Sequence, residues 1–159
     1  MYKRILVPMD GSPLAEAVLP HIQPLAQAFN TEVILLQVLV QPVDAFAVPS
    51  SPLSPPKLIR KLMTKTRAYL KRVCIKLEKD GVRATYLIRE GGVPETILNV
   101  AEIMQADVIA MSTHGHSLTH LFLLGSVTYQ VVRHSSLPVR VIRSETMVGQ
   151  KETSGGKSN

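Results

Sequence analysis

Apolar runs of strand length alternate with segments of helical periodicity from the start of the chain to about residue 143. That alternation is the sign of a parallel sheet wrapped by helices. It predicts strands near residues 3–8, 32–40, 83–88, 107–112 and 138–143. Val, Ile and Leu dominate most of these runs, as strands covered on both faces require.

The first helix should open at Ser12-Pro13, with Ser12 as N-cap and Pro13 at the first helical position, where a missing N–H costs nothing. It should run toward Asn30, kinked or broken by Pro20 and Pro24, because an interior proline removes a ladder bond and crowds the preceding turn. A long helix is expected from about Lys57 to Asp80, stopped by Gly81, with Leu58, Leu62, Tyr69, Val73 and Leu77 as its buried stripe. A third helix should start at Val93-Pro94-Glu95 and end near Gln105, and a fourth should run from Gly125-Ser126 to about His134. Five prolines between Gln41 and Pro56 indicate an irregular crossover, a candidate lid. Residues 144–159 are polar and rich in Gly and Ser, the composition of a flexible tail on a domain of residues 1–143.

Composition narrows the class. The chain has 159 residues, 45% of them hydrophobic, which suits one domain with one large core. Its sole cysteine, Cys74, excludes an intrachain disulfide and points to a packing role in a reducing, cytoplasmic setting. The apolar run at the start is too short for a signal-peptide core or a membrane span. A formal net charge of +6 invites an anionic partner, yet aromatics are 4% of residues and Trp is absent, so base-stacking platforms are scarce. Between Lys57 and Lys79 the long helix sets nine Lys and Arg against Glu78 alone. A solvated face accounts for them, with RNA, DNA or anionic lipid as the secondary reading.

The candidate chemistry lies between Asp107 and the fourth helix. A buried strand ends in the small polar loop Ser112-Thr113-His114-Gly115-His116-Ser117, and Gly125-Ser126 opens a new helix. Backbone N–H groups freed by such a loop, with the unpaired first-turn N–H groups and positive dipole end of a helix, hold phosphate. In open parallel sheets, ligands sit beyond the carboxyl ends of the strands where strand order reverses, and the first and fourth strands should meet there. The first strand ends in Pro8-Met9-Asp10-Gly11-Ser12. Asp10 can accept hydrogen bonds from a ribose, from an adenine amine or from its own turn.

His114, His116 and His120 fall in the same segment, but without a nearby Cys or carboxylate they make a poor transition-metal set. Mg²⁺ or Mn²⁺ would arrive on nucleotide phosphates. No Walker A motif occurs: Gly156-Lys157-Ser158 matches only its end, with Lys151 where the first glycine belongs. A Gly-x-Ser-x-Gly elbow is absent too. No residue presents itself as catalytic, and hydrolysis should be slow at most.

These residues resemble the universal stress protein family. Its signature is Gly, two residues, Gly, nine residues, Gly, then Ser or Thr; the matching positions here are Ser112, Gly115, Gly125 and Ser126, with serine in place of the first glycine. The likeness includes Ile5-Leu6-Val7-Pro8-Met9-Asp10-Gly11-Ser12 and Leu137-Pro138-Val139-Arg140-Val141-Ile142-Arg143. It implies an α/β fold with an open, Rossmann-like, five-stranded parallel sheet and helices on both faces. It further implies a homodimer joined through the last strand, which begins at Pro138 and ends at Arg143, and in one branch a bound ATP or AMP. By position, Pro8, Met9 and Asp10 would lie beside base and ribose, and Val38 would line the adenine pocket. Met111 and Ser112 would approach from the fourth strand, while Gly115, Gly125, Ser126 and Val127 would hold phosphates. The function implied is that of a nucleotide-dependent stress sensor or regulator. The alternative, motivated by Ser112 and the basic helix, is a stress-linked interaction module that binds no nucleotide and acts through protein or nucleic-acid contacts, as members without the glycines do.

Overall fold

The computed structural model describes residues 2–40, 55–113 and 125–143. Their elements are β1 (Arg4–Met9), α1 (Pro13–Glu16), α2 (Leu19–Phe29), β2 (Glu32–Leu39), α3 (Pro55–Lys79), β3 (Ala84–Glu90), α4 (Val93–Ile103), β4 (Val108–Ser112), α5 (Ser126–His134) and β5 (Val139–Ile142). The strands form one sheet in the order β3-β2-β1-β4-β5, and every neighbouring pair is parallel. This is the open Rossmann-like α/β architecture. From β1 the chain builds outward to β2 and β3, then returns to place β4 on the other side of β1. The order therefore reverses between β1 and β4.

Side chains alternate across the sheet and feed two cores. Ile5, Val7 and Met9 of β1 join Val33 and Leu35 of β2 beneath Ile22, Leu70 and Leu77, on the side of α1, α2 and α3. Leu6, Ile34, Leu36 and Ile109 face the other way, onto Ile97, Val100 and Val131 of α4 and α5. Leu35 and Ile109 are wholly buried, each stabilising the fold by roughly 1.5–3 kcal/mol relative to exposure.

Local signals set the helix ends. The Ser12 hydroxyl accepts the Ala15 N–H at 3.1 Å, and Pro13 follows at the first helical position. The expected break falls ahead of Pro20: α1 closes after four residues and α2 restarts at Leu19. Pro20 has no N–H to give the carbonyl one turn back, so a continuous helix would lose that bond. Pro24 is tolerated inside α2. Asn30 caps α2 in the left-handed conformation (φ 51°), and Gly81 (φ +77°) follows α3 in the same region.

Two expectations need correction. The buried stripe of α3 is Thr66, Leu70, Val73, Cys74 and Leu77, whereas Leu62 is exposed and Tyr69 only half-buried. At 100° per residue, Tyr69 is rotated to the margin of the line through Leu70, Val73 and Leu77, whereas Leu62 stays within about 20° of Val73 and is exposed for want of cover rather than by rotation. The third predicted helix, α4, ends at Ile103 rather than Gln105, because Gln105 takes φ 51° and turns the chain toward β4. Residues 41–54 of the proline-rich crossover, the loop with His114, Gly115, His116 and His120, and the tail from residue 144 lie outside the described residues. Among the described residues no helix is long and apolar enough to cross a membrane.

Candidate functional site

The carboxyl ends of β1 and β4 lie side by side, as the register of Ile5 with Val108 and Leu6 with Ile109 requires. β1 stops because Gly11 takes φ +80°, a conformation that residues with a Cβ seldom adopt. Asp10 supports that turn, its Oδ1 accepting the Ser12 N–H at 2.9 Å. The local role considered for Asp10 is thus present, and its half-buried carboxylate still stands at the mouth of the switch point.

The fourth strand leads straight into α5. Its last residue, Ser112, is buried, and the Ser112 carbonyl accepts the Thr128 hydroxyl at 2.9 Å. The Thr113 carbonyl accepts the Gly125 N–H at 2.6 Å. These bonds pin the start of α5 against the end of β4. Gly125 is the N-cap, with φ −63° and ψ 154°, values any residue adopts, so backbone freedom is not why glycine suits the position. What glycine supplies is the absence of a side chain at an amino terminus that has no side-chain cap among the described residues. Its own N–H is engaged, leaving the N–H groups of Ser126 and Val127 as first-turn donors for an anion.

The expected site residues divide by face. Val38, Met111 and Val127 belong to the core beneath α4 and α5, and Pro8, alternating with Met9, points to the same side. Together they make an apolar wall, with Ser126 exposed at its rim. Met9 does not join them; it is buried on the opposite face, among the residues of α1 to α3. Gly115 lies outside the described residues.

Sequence reasoning missed two polar groups at the same end of the sheet. Gln37 of β2, in register with Met9, has its Oε1 buried without a hydrogen-bond partner among the described residues, and the Tyr69 hydroxyl is in the same condition. Burial, with the nearby carboxylates of Glu16 and Asp10, pushes the Tyr69 phenol above its ordinary range, partly offset by Arg72. The available signal was one amide in the otherwise apolar run of β2. Cys74 is inert packing: burial first, then Glu78, pushes its thiol up to about 11.

Two other features bound the site. A shallow cavity of about 420 Å³ lined by Glu32, Glu78, Arg83 and Thr85 opens at the amino ends of β2 and β3, the wrong end of an open parallel sheet for a ligand. Among the described residues no three His, Cys, Asp or Glu gather as a metal set.

A five-stranded parallel sheet with helices on both faces, its order reversing between β1 and β4, defines a Rossmann-like α/β fold. Residues 1–143 match the model of the universal stress protein family, and the chain belongs to that family. It is 32% identical over 155 residues to a universal stress protein of Methanocaldococcus jannaschii, covering 90% of this chain and 96% of that one. A second archaeal member, from Methanothermobacter thermautotrophicus, is 30% identical over 152 residues, covering 91% and 97%. The solved structure of the M. jannaschii protein superposes with a TM-score of 0.80 over 92% of this chain and 99% of that one. A universal stress protein solved in complex with cAMP, 20% identical, shares the fold with a TM-score of 0.65 over 89% of this chain and 97% of that one.

Proposed function

We propose that this protein binds an adenine nucleotide, ATP or AMP, at the carboxyl ends of β1 and β4, and acts as a dimeric sensor or regulator in a cytoplasmic stress response. The observation that carries the reading is the amino end of α5, without a side-chain cap among the described residues and held by Thr113 and Ser112 beside the turn of Asp10. Phosphates meet the N–H groups of Ser126 and Val127, with Gly115 and Gly125 leaving room for them. The base lies against Pro8, Val38 and Met111, and Asp10 receives a ribose hydroxyl or the adenine amine. Met9 supports this end of β1 from the opposite face. Ser112 in place of a glycine is compatible with this arrangement, because its side chain is buried and its carbonyl is turned to Thr128. Mg²⁺ or Mn²⁺ accompanies the phosphates, neutralising their charge. The chain offers the nucleotide positioning groups and no catalytic residue, so turnover is slow at most.

The dimer forms through β5. Pro138 and Ile142 accept β4 amides through their carbonyls, so the alternate residues Val139 and Val141 direct their N–H and C=O groups to the open edge. A two-fold axis at that edge pairs them with a second copy.

The test is to denature freshly purified protein, analyse the supernatant for nucleotide, and titrate ATP into the emptied protein by calorimetry. Stoichiometric adenine nucleotide, or micromolar ATP binding, is expected. No nucleotide and no heat would remove this reading and leave the interaction module without a nucleotide.

A further inference from the structure

We propose that α3 is a docking surface for the phosphate backbone of duplex nucleic acid, read without regard to sequence and independent of the nucleotide site. Nine of the protein's eighteen Lys and Arg lie in this one helix, with Glu78 its only acid; outside it, nine cations face eleven acids. The excess positive charge of the molecule therefore belongs to α3 alone.

The structure orders these charges. All nine cations are exposed, on the half of the helix opposite the stripe of Thr66, Leu70, Val73 and Leu77. With 25 residues at 1.5 Å each, the helix presents a ridge of about 37 Å. At 100° per residue, Lys57 and Lys61 fall along its crest, Arg60 and Arg67 down one flank, and Lys65 and Lys76 down the other. Arg72 alone forms an ion pair among the described residues, with Glu16 at 3.5 Å, while lying over the Tyr69 ring. The other eight have no ion-pair partner among the described residues.

The shape selects among polyanions. A duplex groove carries phosphates on both walls, so a convex helix with cations on crest and both flanks satisfies them together. A flat lipid surface meets the crest alone, and membrane binding by an amphipathic helix needs a free apolar face; here Leu70, Val73 and Leu77 are committed to the core. Single strands are held by exposed aromatic platforms, and the one aromatic residue of α3, Tyr69, is half-buried.

The test uses the full-length protein without ATP and a mixed-sequence DNA duplex of about three helical turns, followed by fluorescence anisotropy. Binding should weaken about 100-fold between 50 and 200 mM salt, the slope for roughly four phosphates neutralised. The triple variant Lys61→Glu, Lys65→Glu and Lys76→Glu should lose binding at least tenfold more than Arg89→Glu, Arg133→Glu and Arg143→Glu, which makes the same charge change elsewhere. Circular dichroism checks that both remain folded. Equal losses in the two triples would reduce the effect to net charge and overturn the proposal. So would tighter binding to single strands of equal length, or retention on phosphatidylserine vesicles without duplex binding.

Discussion

The hydroxyl of Thr128 donates to the carbonyl of Ser112 at 2.9 Å, joining the first turn of α5 to the last residue of β4 across sixteen positions of sequence. Both residues are buried, so solvent cannot replace the bond. Replacing Thr128 with Val keeps the shape and removes the donor, which should cost about 1–2 kcal/mol of stability. Because the same bond aims the amino end of α5, ATP affinity should fall as well. Urea denaturation and calorimetry on the variant read the two effects separately; unchanged affinity would show that α5 is placed by packing alone.

Gly125 offers a cleaner test of the anion cradle. Its backbone angles suit any residue, so Gly125→Val should fold while the new side chain crowds the approach to Ser126 and Val127. Nucleotide affinity should drop at least tenfold, about 1.4 kcal/mol, with the circular dichroism spectrum preserved. Wild-type affinity in this variant would place the phosphates elsewhere.

At the other end of the same two strands, Asp107 Oδ2 accepts the N–H groups of Lys3 at 2.6 Å and Arg4 at 2.8 Å. The Arg4 amide is the main cause holding the Asp107 carboxyl below its ordinary value. A depressed folded pKa contributes stability that is present above the unfolded value of about 3.9 and is lost as pH falls through the folded value. Asp107→Asn should therefore be less stable than wild type at pH 7, by on the order of 1 kcal/mol for this half-exposed group. The gap should close below about pH 4. Denaturation midpoints at pH 7 and pH 3 compare the two; a pH-independent gap would contradict the electrostatic account.

Assembly can be separated from folding at Val141. Its N–H points away from β4, so Val141→Pro spares the β4 ladder and removes a donor only from the open edge. Sedimentation should then show monomer at the micromolar concentrations where the proposed wild-type dimer is expected. A dimeric proline variant would move the interface off β5.

Much of the fold was legible because its signals are local. Ser12-Pro13 opens a helix, Pro20 interrupts it and Gly81 follows the end of another, each through the geometry of a few consecutive residues. The apolar runs likewise marked all five strands. The stripe of α3 was misread at Leu62 because 3.6-residue periodicity identifies an apolar face without saying how far the sheet beneath it extends. The candidate anion-binding helix end was visible in Gly125-Ser126, whereas the oxygens of Gln37 and Tyr69, buried without a partner among the described residues, were not, since apolar neighbours indicate burial without saying whether a polar atom finds a partner.

By itself the sequence determined the class of the chain, its helix and strand identities, the candidate loops and the uneven placement of charge, all properties carried by nearest neighbours and composition. Only the tertiary structure decided that β4 returns to lie beside β1, that Gly125 is held by Thr113 and α5 by Ser112, and that Met9 parts from Pro8, Val38 and Met111 across the sheet. Those relations join residues as much as a hundred positions apart. They are set by which packing buries both faces of the sheet at once, and no local pattern contains that choice.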